Sequence, residues 1–262
     1  MRPFRLASYN IQKAVGVDFR RDPERIIEVI NALGADVVAL QEVDKRLGER
    51  PSVLCRRMIE AETDFTIAPL AQNDVSLGWH GNAILVRRDH AILATGHIDL
   101  PALEPRGAVR VDVTTPGGPL AVVGAHLGLM RHFRRLQLET IRAHLEDAPT
   151  RTLILGDFNE WSEDRGMEPL EEHYETVSPG KSFHAARPLA ALDRFALGRH
   201  IALRDAGVEE RPLARRASDH LPVWADVVMA PAERGRAVLP SYESSVSLVL
   251  GALDRWKTSR RA

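Results

Sequence analysis

Thr152-Leu153-Ile154-Leu155-Gly156-Asp157-Phe158-Asn159 is an apolar run that ends in a carboxylate and an amide two residues apart. A short apolar run bounded by glycine reads as a core strand. In an extended segment the side chains at i and i+2 point the same way, so Asp157 and Asn159 can reach one bound group. Taken alone, Gly-Asp-x-Asn is also a common turn. Four other stretches close an apolar run with polar groups in the same manner: Ser8-Tyr9-Asn10, Leu40-Gln41-Glu42, Gly124-Ala125-His126-Leu127 and Ser218-Asp219-His220-Leu221-Pro222.

Between these stretches, strand and helix patterns alternate. Asp22-Pro23-Glu24 predicts a helix start, with Asp22 as N-cap, Pro23 at the first helical position and Gly34 past the end. Ile26, Ile27, Ile30 and Leu33 fall on one face. Residues 36–40, 82–86, 152–155, 192–197 and 221–228 read as strands, and 107–126 as an antiparallel hairpin turning at Pro116-Gly117-Gly118. Residues 131–146 show helical spacing at Phe133, Leu136, Ile141 and Leu145. With no internal repeat and no long linker, these patterns support a mixed α/β domain.

The order Asn, Glu, His, Asp-x-Asn, Asp-His resembles the signature of the endonuclease/exonuclease/phosphatase superfamily, and the likeness covers most of the chain. The resemblance implies a four-layer α/β (α+β) sandwich of two packed mixed β-sheets flanked by helices over residues 1–230, with 231–262 as a C-terminal extension. It also implies divalent-metal-dependent hydrolysis of a phosphoester, with a phosphodiester favoured. Such chemistry builds negative charge on an anionic substrate, so it rests on a hard cation, positioned donors and an activated water. Mg2+ or Mn2+ prefers oxygen ligands. By the resemblance Glu42 is the ligand, with Asn10 and Asp219 in support.

In the same reading Asp157 orients and deprotonates the attacking water, and the Asn159 amide donates to a non-bridging oxygen. Asp193 matches the carboxylate that fixes the His220 tautomer, and His220 acts as base or as phosphate-binding cation. Many members carry Asp-His where this chain has Asp193-Arg194, which leaves Asp193 in place and puts only the neighbouring contact in question. His126 matches the histidine of the deoxyribonuclease and sphingomyelinase branches, where it assists the leaving oxygen or binds phosphate; the structural alternative is a hydrogen-bonded histidine at a strand end.

Asn82, Arg106, Arg134 and Arg135 are candidates for substrate binding. A helix starting near Arg131 sets Arg131, His132, Arg134 and Arg135 against the macrodipole, which a bound phosphate would compensate; a solvated basic face is the other reading. Gly180-Lys181-Ser182 is a chance match to a phosphate loop, because position 175 is Glu and not Gly. The remaining histidines form no compact zinc spacing.

The 262 residues carry 35 Lys and Arg against 36 Asp and Glu, a formal charge of -1. Such a balance gives no global footprint for nucleic acid, and the chain has only four lysines. A small-molecule or lipid-headgroup substrate is therefore favoured over DNA or RNA, and a non-catalytic binding member is the remaining alternative. Cys55 is the single cysteine, which excludes an intramolecular disulfide. No apolar signal segment follows Met1 and no run approaches 18 apolar residues, so a cytoplasmic protein is expected. Val246, Val249, Leu250, Leu253 and Trp256 share a helical face ahead of Lys257, Arg260 and Arg261. That tail is expected to dock on its own domain or on a partner, with peripheral membrane contact as the alternative.

Overall fold

The computed structural model describes residues 3–102, 106–146, 149–163 and 165–229. The C-terminal segment 231–262, with its expected amphipathic helix, lies outside the described residues.

Twelve strands form two six-stranded sheets. In the first, the central strands β1 (Phe4–Asn10) and β2 (Val37–Gln41) are parallel. Parallel neighbours need a crossover connection, and α1 (Pro23–Ala32) supplies it. Next along the first sheet come β3 (Phe65–Ile67) and β4 (Ala83–Arg87), and in the second β5 (Ile92–Leu100) and β6 (Arg106–Val113). The second sheet's parallel pair is β7 (Leu120–His126) and β8 (Thr152–Asp157), joined through α3 (Arg131–His144). A short α2 spans Arg56–Glu62. Completing the sheets are β9 (Tyr174–Val177), β10 (Asp193–Gly198), β11 (Ile201–Val208) and β12 (Val223–Met229), with the single-turn α4 (Ala214–Ala217) between the last two. Strand orders are β11-β12-β1-β2-β4-β3 and β5-β6-β7-β8-β10-β9.

The sheets pack face to face through residues such as Leu6, Val37, Ala39, Ile84, Val109, Val122, Leu155 and Phe195. Their outer faces carry helices. Ile26, Ile27, Ile30 and Leu33 of the α1 segment cover Val38 and Leu40 of the first sheet, and Leu138, Ile141 and Leu145 cover Val123, Ala125 and Ile154 of the second. These layers make the four-layer sandwich that the resemblance implies. As the sequence predicts, Asp22 caps α1, its side chain accepting from Arg25 N at 3.1 Å.

The buried face of α3 differs from the expected one. Phe133 and Leu136 are only half-buried, whereas Arg134, Gln137, Leu138 and Ile141 point inward. Two polar residues on the inner face hid the periodicity, and both find partners: Gln137 accepts from Gly128 N at 2.8 Å and donates to Pro101 O at 3.1 Å.

Candidate active site

Ladder register brings the polar strand ends together. Asn10 lies opposite Gln41 on the last rung of β1 and β2, and His126 lies opposite Asp157 on the last rung of β7 and β8. Asp193 opens β10 directly opposite Asp157. Glycine permits the close approach of β7 and β8 here, because a Cβ on Gly156 would collide with the Ala125 carbonyl. From the far end of the chain, Ser218 Oγ donates to Asn10 O at 2.7 Å and ties the Ser218–His220 loop to the end of β1.

Asp157 is the hub. Its Oδ2 accepts from Asn10 Nδ2 at 3.0 Å and faces His126 Nε2 at 3.4 Å and His220 Nε2 at 3.6 Å. Its Oδ1 accepts the Asn159 backbone N–H at 3.0 Å. Asn159 therefore reaches the site by a route other than the extended geometry expected from spacing. With φ of 52° it sits in the left-handed region, one that asparagine tolerates, and its amide donates to Leu127 O at 2.9 Å. That bond engages one of the two hydrogens that the amide nitrogen carries.

Behind His220, Asp193 Oδ2 contacts Nδ1 at 2.8 Å and also accepts from Ser182 Oγ at 2.6 Å. The two imidazoles differ in state. Burial lowers His126 to about 4, against the nearby Asp157. Burial also acts to lower His220, but Asp193, Asp157 and Asp219 outweigh it and raise that ring to about 10. His126 is thus a neutral ring at pH 7 and His220 an imidazolium.

Glu42 follows β2 with φ of 58°, and its carboxylate meets the Lys13 ammonium and, at 3.6 Å, Arg46. Burial raises the Asp219 carboxyl, and the charge of Glu42 adds to that rise. Two hard carboxylates close enough to repel, with a lysine against one of them, fit a divalent cation of the Mg2+ or Mn2+ type. Asp157, Asp193 and His220 also place ligand atoms within 4.8 Å of one another. With the Asp193 and Asp157 carboxylates already facing its two ring nitrogens, the protonated His220 ring offers no lone pair to a metal.

The four expected substrate contacts separate. Arg106 lines a pocket of about 280 Å3 beside Glu42 and His126, and its Nη1 donates to His126 O at 3.4 Å. Arg135 is exposed on the first turns of α3. Arg134 is corrected to an interior role: 5% exposed, it pairs with Glu160 at 2.8 Å and donates to Leu129 O at 2.5 Å. Glu160, which also draws Arg131 to 3.8 Å, supplies the negative charge at the helix start that was expected from a bound phosphate. Asn82 likewise turns inward, donating to Gly107 O at 2.9 Å and tethering β4 to the other sheet.

Sequence reasoning missed Lys13, Arg46, Arg50, His80 and Ser182. Ser182 belongs to the rejected Gly180-Lys181-Ser182 match and holds Asp193 instead of a phosphate. The unusual Arg194 is 1% exposed and braces the loop after Asp157, donating to Glu160 O at 3.1 Å and Ser162 O at 2.5 Å.

Comparison with known proteins agrees with the fold. An endonuclease/exonuclease/phosphatase structure from Beutenbergia cavernae superposes with a TM-score of 0.69 at 22% identity, over 92% of this chain and 76% of that one. A mannosyl-6-phosphatase from Bacteroides thetaiotaomicron gives 0.66 at 16%, over 86% and 100%. The D. rerio TDP2 complex with a single-strand DNA product gives 0.65 at 16%, over 86% and 99%. At these identities the likeness is one of fold. No curated protein matches the chain. The model of the Endonuclease/Exonuclease/phosphatase family matches residues 7–220, and the chain belongs to that family.

Proposed function

We propose that this chain is a phosphoesterase that uses a divalent cation, Mg2+ or Mn2+, to hydrolyse a phosphoester, with a phosphodiester of a small molecule or lipid headgroup as the favoured substrate. The observation that carries the reading is the convergence of Asn10, His126 and His220 on one carboxylate, Asp157. Membership of the family supports phosphoester hydrolysis in general.

Asp157 is the group that takes a proton from the attacking water, because it is the carboxylate central to the cleft and its donors fix both of its oxygens. His220, held protonated by Asp193, places its Nε2–H toward the same point, where it binds the phosphate anion. That state favours the phosphate-binding role over the base. His126, neutral, offers a single N–H to the leaving oxygen, and Asn159 offers its second amide hydrogen to a non-bridging oxygen. Glu42 and Asp219, with Asn10, would hold the cation, which when bound supplies Lewis-acid stabilisation of the developing charge.

The compact pocket of about 280 Å3 supports a small substrate. A nucleic acid is the second reading, and Trp161 favours it: 63% exposed just after the end of β8, this ring stands edge-on to Phe183 at 6.0 Å, and Phe183 lies 5.0 Å from His220. An exposed aromatic of this kind can stack a base.

Hydrolysis of bis(p-nitrophenyl) phosphate with Mg2+, Mn2+ or chelator tests the proposal. Activity is expected only with metal, and Asp157→Asn and His220→Ala are each expected to lower it about a hundredfold or more. Rates unchanged by either substitution sink the assignment. Nicked plasmid, phospholipid and sugar phosphate assayed side by side separate the substrate classes.

A further inference from the structure

The pocket beside Glu42 and His126 holds more positive charge than the cleavage site alone requires. Lys13, Lys45, Arg46, Arg50 and Arg106 line it, against the carboxylates of Glu42 and Asp44. Both carboxylates are engaged. Glu42 meets Lys13 and Arg46, and Asp44 accepts the backbone N–H groups of Leu77 at 2.8 Å and Gly78 at 3.3 Å.

Among the described residues, neither Lys45 nor Arg50 is paired with a carboxylate. Arg50 instead donates through Nη1 to His80 Nδ1 at 2.8 Å. Arginine has no acceptor, so that nitrogen of His80 accepts and the ring proton sits on Nε2, a further donor on a residue of the pocket wall.

This wall is built, not loose. Asp44 ties the segment after β2 to residues 77 and 78, and Val43 N donates to Gly81 O at 3.1 Å. The His80 ring packs against Trp79 with centroids 4.3 Å apart, and the Trp79 indole fills the space that any side chain at Gly107 would need. Lys45 and Arg50 thus share the pocket with no ion pair to either, and an anionic ligand would supply an opposite charge to both. An arginine fork beside a lysine suits phosphate oxygens in particular.

We propose that this pocket binds a second phosphate group of the substrate, carried on the same small molecule as the phosphoester that is cleaved. The inference rests on the phosphoesterase reading, since the pocket shares Glu42 and His126 with the cleavage site. It narrows the substrate class to compounds bearing two phosphates.

The test is a matched pair, thymidine 5′-(p-nitrophenyl phosphate) with and without a 3′-phosphate, in which thymidine is only a scaffold. The added phosphate is expected to raise kcat/KM at least about tenfold at low salt, mainly through KM, as one charge-assisted contact allows. Arg50→Gln and Lys45→Gln are each expected to bring the ratio between the two substrates towards unity. Calorimetry in chelator provides a readout free of turnover: wild type is expected to bind thymidine 3′,5′-bisphosphate more tightly than thymidine 5′-phosphate, and the variants to bind both alike. Equal kcat/KM for the pair, or a preference that survives both substitutions, overturns the second-phosphate pocket while leaving the phosphoesterase reading intact. Absence of hydrolysis with a retained binding preference overturns the phosphoesterase reading and leaves the pocket.

Discussion

Asp193 is the foremost of the anions that keep His220 protonated. Its Oδ2 takes both the Ser182 hydroxyl at 2.6 Å and His220 Nδ1 at 2.8 Å in a fully buried setting, so one oxygen orients the ring and supplies the first of the charges that hold its proton. Replacing Asp193 with Asn removes the anion and keeps the shape. The His220 ring is then expected to titrate about two pH units lower, the usual effect of losing an adjacent opposite charge, and kcat to fall by ~10²–10⁴. Ring-proton NMR on the metal-free protein measures the first and steady-state kinetics the second; a His220 titration that stays near 10 sinks the pairing argument. Asp193 and His220 were readable in sequence because carboxylates and imidazoles at strand ends in a fixed order are uncommon. Ser182 and Lys13 were not. Lys13 sits in a short run of left-handed residues, Gln12 to Ala14, that no periodic pattern announces, and serine is too common in loops to signal the one that bonds a buried carboxylate.

Four strands that the sequence reading missed share one property. β3, β5, β9 and β11 are the four edge strands of the two sheets, whereas all of the expected strands are interior. An interior strand is covered on both faces and along both edges, which forces a near-continuous apolar run such as that of β8; an edge strand such as β5 keeps half-exposed residues along most of its length and shows no such run. The α3 face was misread for a related reason, since Arg134 occupies an inward position normally apolar. That position is stabilised only while Glu160 stays charged opposite it at 2.8 Å. Glu160→Gln leaves a buried guanidinium without its anion at a helix start that already opposes it, and is expected to cost about 3–5 kcal/mol. The double substitution Arg134→Met with Glu160→Met removes both charges and is expected to recover most of that loss. Urea denaturation of the single and double variants checks this; a single variant as stable as wild type refutes the role given to the pair.

At the scale of the molecule the two sheets repeat one topology. Each places a parallel pair, joined through a helix, at its centre, and the last rungs of the two pairs, Asn10 with Gln41 and His126 with Asp157, meet at one cleft. Burying two imidazoles at that junction makes the whole fold sensitive to pH in two directions. His126 has a folded value of about 4 against 6.5 for the free ring, so below pH 6.5 the unfolded chain takes up a proton that the folded chain refuses, and stability falls until about pH 4. His220 has a folded value of about 10. Its contribution is complete below pH 6.5 and is lost as the pH rises through 10, because the folded chain holds a proton that the unfolded chain releases. Each limb has a limiting slope of about 1.4 kcal/mol per pH unit for one proton. In chelator, stability measured by urea denaturation is therefore expected to peak near neutrality. Other carboxylates also contribute to the acid side, so the variants isolate each ring: His126→Gln should flatten the decline between pH 6.5 and 4, and His220→Gln the decline above neutrality. If His126→Gln keeps the wild-type acid limb, the ring is not held neutral by its burial, and the opposite charge states assigned to the two histidines of the cleft fail with it.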